Sequence, residues 1–250
     1  MNPPLAGLGV LITRPTAQAA GLRARIAELG GCPVLFPALD ILPLDPAVST
    51  QYDLAACDLA IFVSPSAVQF GLARSPSWPA GLPVAGLGQG TAAALRAGGV
   101  AAVLVPDTGA DSEHLLALPQ LQDMAGRHVC IFRGDGGREL LADTLRARGA
   151  SVDYIPCYRR GLGSADPAPL RETWRRGGIQ AVTVLSTQTL DNLFTLLGED
   201  DAGLIRATPM FAPHARIIGH ARDLGVASGM VTAPGEMGLV RGLVEYFAHG

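Results

Sequence analysis

The feature that most limits what this chain can fold into is that it repeats itself. Moved along itself by 119 residues, the sequence lays Gly7–Pro37 over Gly126–Pro156 without a gap, and Gly7/Gly126, Val10/Val129, Ile12/Ile131, Arg14/Arg133, Leu22/Leu141, Gly30/Gly149 and Pro37/Pro156 are identical. A second echo, at an offset of 122, places Leu59–Val68 on Ala181–Leu190, with Ser64 over Ser186. A third, at 126, places Val84–Val100 on Met210–Val226 and ends in Gly99 over Gly225. The slow drift of the offset is what small loop insertions produce. Two similar halves are expected, and two halves with a cleft between them suggest a ligand enclosed at their interface.

Short apolar runs alternate with amphipathic stretches of helical length, the rhythm of βα units that feed a mostly parallel sheet. Candidate strands are Leu8–Thr13, Val34–Pro37, Leu59–Val63, Val84–Leu87, Ala101–Val105, His128–Phe132, Val152–Pro156, Ala181–Leu185, Pro209–Phe211 and Ala227–Val231. The spacing of Ala19, Leu22, Ile26 and Leu29 predicts a helix over Thr16–Leu29, and Leu141 with Leu145 predicts another over Arg138–Arg148. Gly30 and Gly149 stand where a helix C-cap is wanted. The fold class that follows is α/β, in two similar domains, each a mostly parallel sheet flanked by helices.

Composition removes whole classes of chemistry. Apolar residues make up 48% of the chain and charged ones 16%, so there is ample surface to bury and disorder is excluded as the general condition. All 19 basic residues are Arg. Without Lys, a Schiff base, a lysine-anchored pyridoxal phosphate and a Lys-dependent P-loop are ruled out. A net charge of −3 lacks the basic footprint of a nucleic-acid binder. Cys32, Cys57, Cys130 and Cys157 are too far apart for a C-x-x-C unit and lie in or beside apolar runs, which predicts buried, inert thiols. His114, His128, His214, His220 and His249 show no metal-ligand spacing, so no metal site is expected. The Met-Asn-Pro-Pro start carries no secretion signal, and Pro76, Pro79, Gly81, Pro83, Gly86, Gly88 and Gly90 break the uncharged stretch Ser75–Leu95. A cytoplasmic protein without a membrane or nucleic-acid partner is expected.

In open α/β sheets ligands bind beyond the carboxyl ends of the strands. Five segments fall there: Thr13-Arg14-Pro15, Ser64-Pro65-Ser66, Gly88-Gln89-Gly90-Thr91, Arg133-Gly134-Asp135-Gly136-Gly137-Arg138 and Ser186-Thr187-Gln188. Each is rich in hydroxyls, glycines or Arg at a helix N-terminus, where free N–H groups and the dipole favour an anion. Ser64 and Ser186 also suit plain helix capping, but five such loops together point to a polyanion. A nucleotide does not fit, because Gly86-Leu-Gly88-Gln-Gly90 lacks the G-x-G-x-x-G spacing. No G-x-S-x-G elbow is present to support a hydrolase triad. Tyr158, in Pro156-Cys-Tyr-Arg-Arg160, follows the last strand of the repeat and precedes the textural break Gly161–Pro169. Its hydroxyl suits either a proton donor in a cleft or a staple on an interdomain crossing.

Taken in order, Leu11-Ile-Thr-Arg-Pro15, Phe62-Val-Ser-Pro-Ser-Ala-Val68, Gly86-Leu-Gly-Gln-Gly-Thr-Ala92, Arg133-Gly-Asp-Gly-Gly-Arg-Glu-Leu140 and Pro156-Cys-Tyr-Arg-Arg160 resemble the uroporphyrinogen-III synthase family over almost the whole chain. The resemblance implies two α/β domains joined by a two-stranded β-linker, with the N-terminal strand–helix–strand returning to the C-terminal half. Domain one would be residues 1–37 with 162–250, domain two residues 41–155, and the linkers 38–40 and 156–161. It also implies cyclisation of hydroxymethylbilane to uroporphyrinogen III, with loss of water and inversion of ring D, in tetrapyrrole biosynthesis and without a cofactor.

The substrate's eight carboxylates suit Arg and helix N-termini in an otherwise mildly acidic chain. The resemblance puts the family's cleft tyrosine, the catalytic candidate, on Tyr158, its turn hydroxyl on Thr91 and its strand-end serines on Ser64 and Ser186. Arg14, Arg133, Arg138 and Arg216 are the candidate carboxylate ligands. Where some relatives carry a Thr-Thr pair, this chain has Arg216-Ile217. A monomer is implied, with room for transient contact with the upstream bilane-forming enzyme. The rival reading is a two-lobed anion-binding or sensor protein that closes on its ligand without transforming it.

Overall fold

The structure, a computed structural model, describes residues 3–44, 53–75 and 78–248. Pro76, His249 and the terminal residues Met1 and Gly250 of the expected first domain lie outside the described residues. In chain order the elements are β1 (Gly9–Ile12), α1 (Ala20–Glu28), β2 (Cys32–Leu35), β3 (Leu39–Pro43), β4 (Leu59–Phe62), α2 (Pro65–Ala73), β5 (Val84–Gly86), α3 (Gln89–Ala97) and α4 (Ser112–Leu116). They continue with β6 (His128–Gly134), α5 (Leu140–Ala147), β7 (Ser151–Leu162), α6 (Ala168–Arg175), β8 (Ala181–Thr183), α7 (Thr187–Leu197), α8 (Glu199–Ala207), β9 (Met210–Ala212), α9 (Ala215–Asp223), β10 (Gly229–Val231) and α10 (Gly235–Ala248).

The chain divides into two compact units, Met1–Asp40 with Gly161–Gly250, and Ile41–Arg160. One unit holds a sheet ordered β10-β9-β8-β1-β2, the other a sheet ordered β3-β7-β6-β4-β5. The three sequence echoes reappear as strand register. Gly9 pairs with Cys32 in parallel, and 119 residues on His128 pairs with Ser151. Val10 pairs with Ala181 as Val129 pairs with Leu59, and Val182 pairs with Met210 as Ala60 pairs with Val84. Because a one-residue slip would turn every side chain to the opposite face, the repeat preserves which residues are buried as well as the order of the elements.

Both faces of each sheet are covered. In the discontinuous unit Leu11, Val182, Met210 and Ala212 pack with Leu190, Leu193, Ile205 and Ile217, while Val10, Ile12, Ala181 and Phe211 pack on the other face with Leu22, Ile26, Leu239 and Leu243. The continuous unit splits alike, Ala60, Phe62, Cys130 and Phe132 against Val68 and Leu95, and Leu59, Ile61, Val129 and Ile131 against Leu115, Leu141 and Leu145. This is why the strands read as unbroken apolar runs. Each such side chain contributes about 1.5–3 kcal/mol on burial.

The observed elements depart from the sequence expectation in four places. Gly30 and Gly149 do close their helices with positive φ, 82° and 92°, but α1 starts only at Ala20, after a 3-10 turn at Thr16–Gln18 behind Pro15. Ala101–Val105 is not a strand: a single bridge joins Leu104 to Ala85, at the position that β10 occupies in the other unit. The stretch 156–161, expected to be a linker after a strand ending at Pro156, is the second half of β7. Finally, Cys32 lies exposed on β2, whereas Cys57, Cys130 and Cys157 are buried. Burial pushes the Cys157 thiol up to about 12, while the neighbouring Cys130 draws Cys57 below its ordinary value. Among the described residues, no helix is long and apolar enough to cross a membrane.

One charged staple crosses the continuous unit's sheet. His128 Nδ1 faces the Ala56 carbonyl at 3.0 Å and Nε2 faces Asp153 Oδ2 at 2.9 Å. Both ring nitrogens meet acceptors, so the imidazolium, with two N–H donors, satisfies the site better than the neutral ring. Asp153 foremost, then the Ala56 carbonyl, raise the His128 pKa above the ordinary 6.5. A raised folded-state value means that this stabilisation is complete below pH 6.5 and fades as pH climbs through the folded value. The gap in thermal midpoint between wild type and His128→Gln should therefore be wider at about pH 5.5 than at about pH 8.5. Paired melting curves check this, and a gap independent of pH would contradict the staple.

Candidate active site

In the continuous unit, β4, β5 and β7 bring the candidate residues to one end of the sheet. β4 runs into Ser64, which caps α2: its Oγ accepts the Ala67 N–H at 3.1 Å, with Pro65 at the first helical position. β5 runs through Gly88, the N-cap of α3, to Thr91, whose side chain is buried and lies over Gly86. A Cβ on Gly90 would touch the Pro65 ring at 4.0 Å, so the N-terminal turns of α2 and α3 adjoin. Tyr158, on β7, completes the group. Its hydroxyl stands 3.1 Å from Ser64 Oγ, and its ring faces Phe70 at 6.1 Å between centroids.

Ser64, Thr91 and Tyr158, which are 67 residues apart at the longest gap, are thus drawn to one end of one sheet (158 − 91 = 67). Tyr158 is 2% exposed, inside a strand, with its carbonyl accepting the Asp135 N–H at 2.9 Å. The pairing of β6 with β7 shifts just there, from Arg133↔Pro156 to Gly134↔Tyr158. Cys157 is the extra residue, and such a bulge re-aims the side chain that follows it.

The arginines divide into two kinds. Arg133 is buried, donates to Glu139 Oε1 at 3.1 Å and stacks over the Tyr154 ring at 4.3 Å. Tyr154 in turn donates its hydroxyl to the other oxygen of Glu139 at 2.5 Å. This bond, followed by the Arg133 contact, holds the Glu139 pKa below the usual carboxylate range. Arg14, the repeat mate of Arg133, is likewise tied to a glutamate, donating to Glu236 Oε1 at 2.8 Å and to the Gln18 carbonyl at 3.0 Å. Sequence reasoning offered both as carboxylate ligands; in the structure each guanidinium is engaged by a carboxylate of its own unit. Glu236 lies 222 residues from Arg14 and leaves no local motif, whereas Glu139 stands 6 residues after Arg133, inside the Arg133–Leu140 segment.

Arg138 and Arg216 are exposed. Arg138 meets Glu113 at 3.1 Å in a solvent-facing pair of the kind worth about 0–1 kcal/mol. Arg216 lies in the first turn of α9, whose N-cap is His214. A cation at a helix N-terminus opposes the macrodipole, and an anion bound there offsets that cost. Ser186 caps α7 as Ser64 caps α2, accepting the Thr189 N–H at 3.1 Å, and its hydroxyl pairs with Thr189 Oγ1 at 2.8 Å. The discontinuous unit places Ile217 where the other has Thr91 (91 + 126 = 217). Equal scaffolds therefore carry unequal ends.

Comparison with known proteins identifies the family. The family model described as uroporphyrinogen-III synthase HemD matches residues 20–239. The chain is 34% identical over 197 residues to the uroporphyrinogen-III synthase of Escherichia coli, covering 76% of this chain and 80% of that protein. It is 30% identical over 211 residues to that of Synechococcus elongatus, covering 79% and 77%. Among solved structures, uroporphyrinogen-III synthetase from Helicobacter pylori superposes with a TM-score of 0.63 at 12% identity, covering 96% of this chain and 99% of that one. A mutant uroporphyrinogen III synthase from Thermus thermophilus superposes with 0.56 at 19% identity, covering 97% and 100%. These two share the fold, and the sequence matches carry the kinship: the chain belongs to the uroporphyrinogen-III synthase family.

Proposed function

We propose that the chain closes hydroxymethylbilane into uroporphyrinogen III, and that the Ser64–Tyr158 pair supplies the proton that removes the substrate's hydroxyl. The observation that carries the second part is the 3.1 Å contact between Ser64 Oγ and Tyr158 Oη, at a serine whose oxygen already accepts the Ala67 N–H. Either hydroxyl can donate across this contact, and in the proposal Ser64 is the donor to the Tyr158 oxygen. The phenol O–H is then free to point at a leaving group.

The step balances as follows. The hydroxymethyl C–O bond breaks, the departing oxygen takes the Tyr158 proton and leaves as water, and the pyrrole nitrogen's electrons fill the vacancy to give an azafulvene cation. For ring D to end inverted, its carbon already bonded to the bridging methylene attacks that cation and a C–C bond forms; the old bond to the bridge then breaks, the bridge re-forms at the ring's other α-carbon, and the proton lost on rearomatisation restores the acid. The substrate supplies its own electrophile and nucleophile, so the protein's main tasks are folding a floppy tetrapyrrole and placing one acid. Arg138 and Arg216, with the N-terminal turns of α2, α3, α7 and α9, are assigned to the substrate carboxylates. Arg14 and Arg133 hold their loops, and reach the substrate only by exchanging their glutamates for it. The proposal includes a cytoplasmic monomer; the solution mass by sedimentation tests its second half.

Feeding hydroxymethylbilane to the protein tests the reaction. The type III isomer should appear in place of the type I isomer that forms spontaneously, and type I alone would overturn the proposal. Tyr158→Phe should lower kcat by about 100-fold, the low end of general acid catalysis, with the thermal midpoint nearly unchanged. A folded variant with wild-type turnover removes Tyr158 from the mechanism. Ser64→Ala and Ser186→Ala provide an internal control, since each loses one helix cap and about 1 kcal/mol of stability. Only Ser64→Ala should also lower turnover; equal turnover in the two would leave the Ser64–Tyr158 pair without a catalytic part.

A further inference from the structure

We propose that Gly134 is a positioning residue for this reaction: lacking a Cβ, it lets the Tyr158 ring lie directly against the backbone of β6, and that contact aims the phenol hydroxyl at Ser64. The inference rests on the reading of Tyr158 as proton donor. Its basis is steric. A Cβ built on Gly134 would stand 3.0 Å from Tyr158 Cε2, 3.1 Å from Cζ and 3.4 Å from the hydroxyl oxygen, all on the hydroxyl-bearing edge of the ring.

The backbone does not demand glycine here. Gly137, three residues on, has φ +147°, a conformation that L side chains rarely adopt, whereas Gly134 is absent from the positive-φ positions among the described residues. Its missing side chain is therefore explained by what lies over it. Nor can the ring retreat. Phe70 stands across from it, Tyr158 is packed with Phe62, Phe132 and Val68, and the Asp135 N–H holds the Tyr158 carbonyl. The bulge at Cys157 brings Tyr158 opposite Gly134 in the first place.

A methyl group at Gly134 forces the hydroxyl to move by a few tenths of an ångström. The Ser64 contact, at 3.1 Å, already lies beyond the usual O–H···O range, so little displacement is needed to lose it. The other half of the repeat carries Pro15 at the position of Gly134, so the clamp belongs to one unit alone (134 − 119 = 15).

The test is a double-mutant cycle on the full chain, with kcat, KM and the ¹³Cζ resonance of Tyr158 as readouts. Gly134→Ala should lower kcat about tenfold with KM nearly unchanged, a loss in keeping with sub-ångström misplacement. It should also shift the Tyr158 Cζ resonance in the direction that Ser64→Ala shifts it. In the Tyr158→Phe background, where there is no hydroxyl left to aim, Gly134→Ala should change kcat less than about twofold. An equal loss in both backgrounds overturns the inference, as does an unshifted resonance at full kcat. Wild-type kcat in Tyr158→Phe overturns the proton-donor reading instead, and with it Gly134's link to the reaction; a large loss there beside an inert Gly134→Ala overturns the Gly134 inference alone. Should Gly134→Ala not fold, Phe70→Leu releases the ring from the other side. It should move the same resonance and lower kcat, and an unmoved resonance at full kcat again overturns the inference.

Discussion

The parallel pairing of β1 with β8 is the contact on which the discontinuous unit depends. β1 lies inside its sheet, between β8 and β2, so without it the C-terminal strands have no central neighbour. Two buried hydroxyls fasten the pair in both directions: Thr13 Oγ1 donates to the Thr183 carbonyl at 2.7 Å, and Thr183 Oγ1 donates to the Leu11 carbonyl at 2.9 Å. Each is a polar group deep in a core that would cost about 1–3 kcal/mol unpaired. The continuous unit places Phe132 and Ile61 at these positions and closes the same joint with apolar packing (13 + 119 = 132; 183 − 122 = 61).

Repetition separates what is scaffold from what is chemistry. Features present in both halves are the ones that hold the architecture: the serine caps at Ser64 and Ser186, the glutamate-bound Arg14 and Arg133, and the helix-ending Gly30 and Gly149. Features present in one half only are Thr91, Gly134 and Tyr158, and these are the ones brought to a single strand end. A serine cap gains a second use simply because a phenol stands beside it. The same comparison explains the arginine outcome, since a residue kept in both halves by the same kind of ion pair serves each fold before it serves a ligand.

Much of this was legible in the amino-acid order. The apolar runs predicted most of the strands and the echoes predicted two similar halves, because parallel βα units leave apolar runs at fixed spacing. β3 and the outer half of β7 escaped because Leu39–Pro43 and Tyr158–Leu162 are mostly half-buried or exposed and contain Pro, Arg and Gly, a pattern that resembles a linker. Ala101–Val105 misled in the opposite sense: it is apolar, yet only Leu104 finds a ladder partner. At the site, the rule of strand carboxyl ends singled out Ser64 and Thr91, and the textural break after it singled out Tyr158. It could not distinguish Gly134 from its neighbours in Arg133–Arg138, where the run of glycines reads as an anion nest, because the reason for that glycine lies across the sheet.

The discontinuity of one unit sets an order of assembly. Residues 41–160 are contiguous and can condense as soon as they have all left the ribosome. β1, made first, has no inner neighbour until Thr183 exists, 170 positions later. At translation speeds of about 5–20 residues per second that interval is roughly 10–30 s. Through it, Val10, Leu11 and Ile12, all without solvent exposure in the finished protein, remain uncovered on their β8 side. The oldest segment of the nascent chain is thus the last to be sealed, and it is where a chaperone would have most to shield.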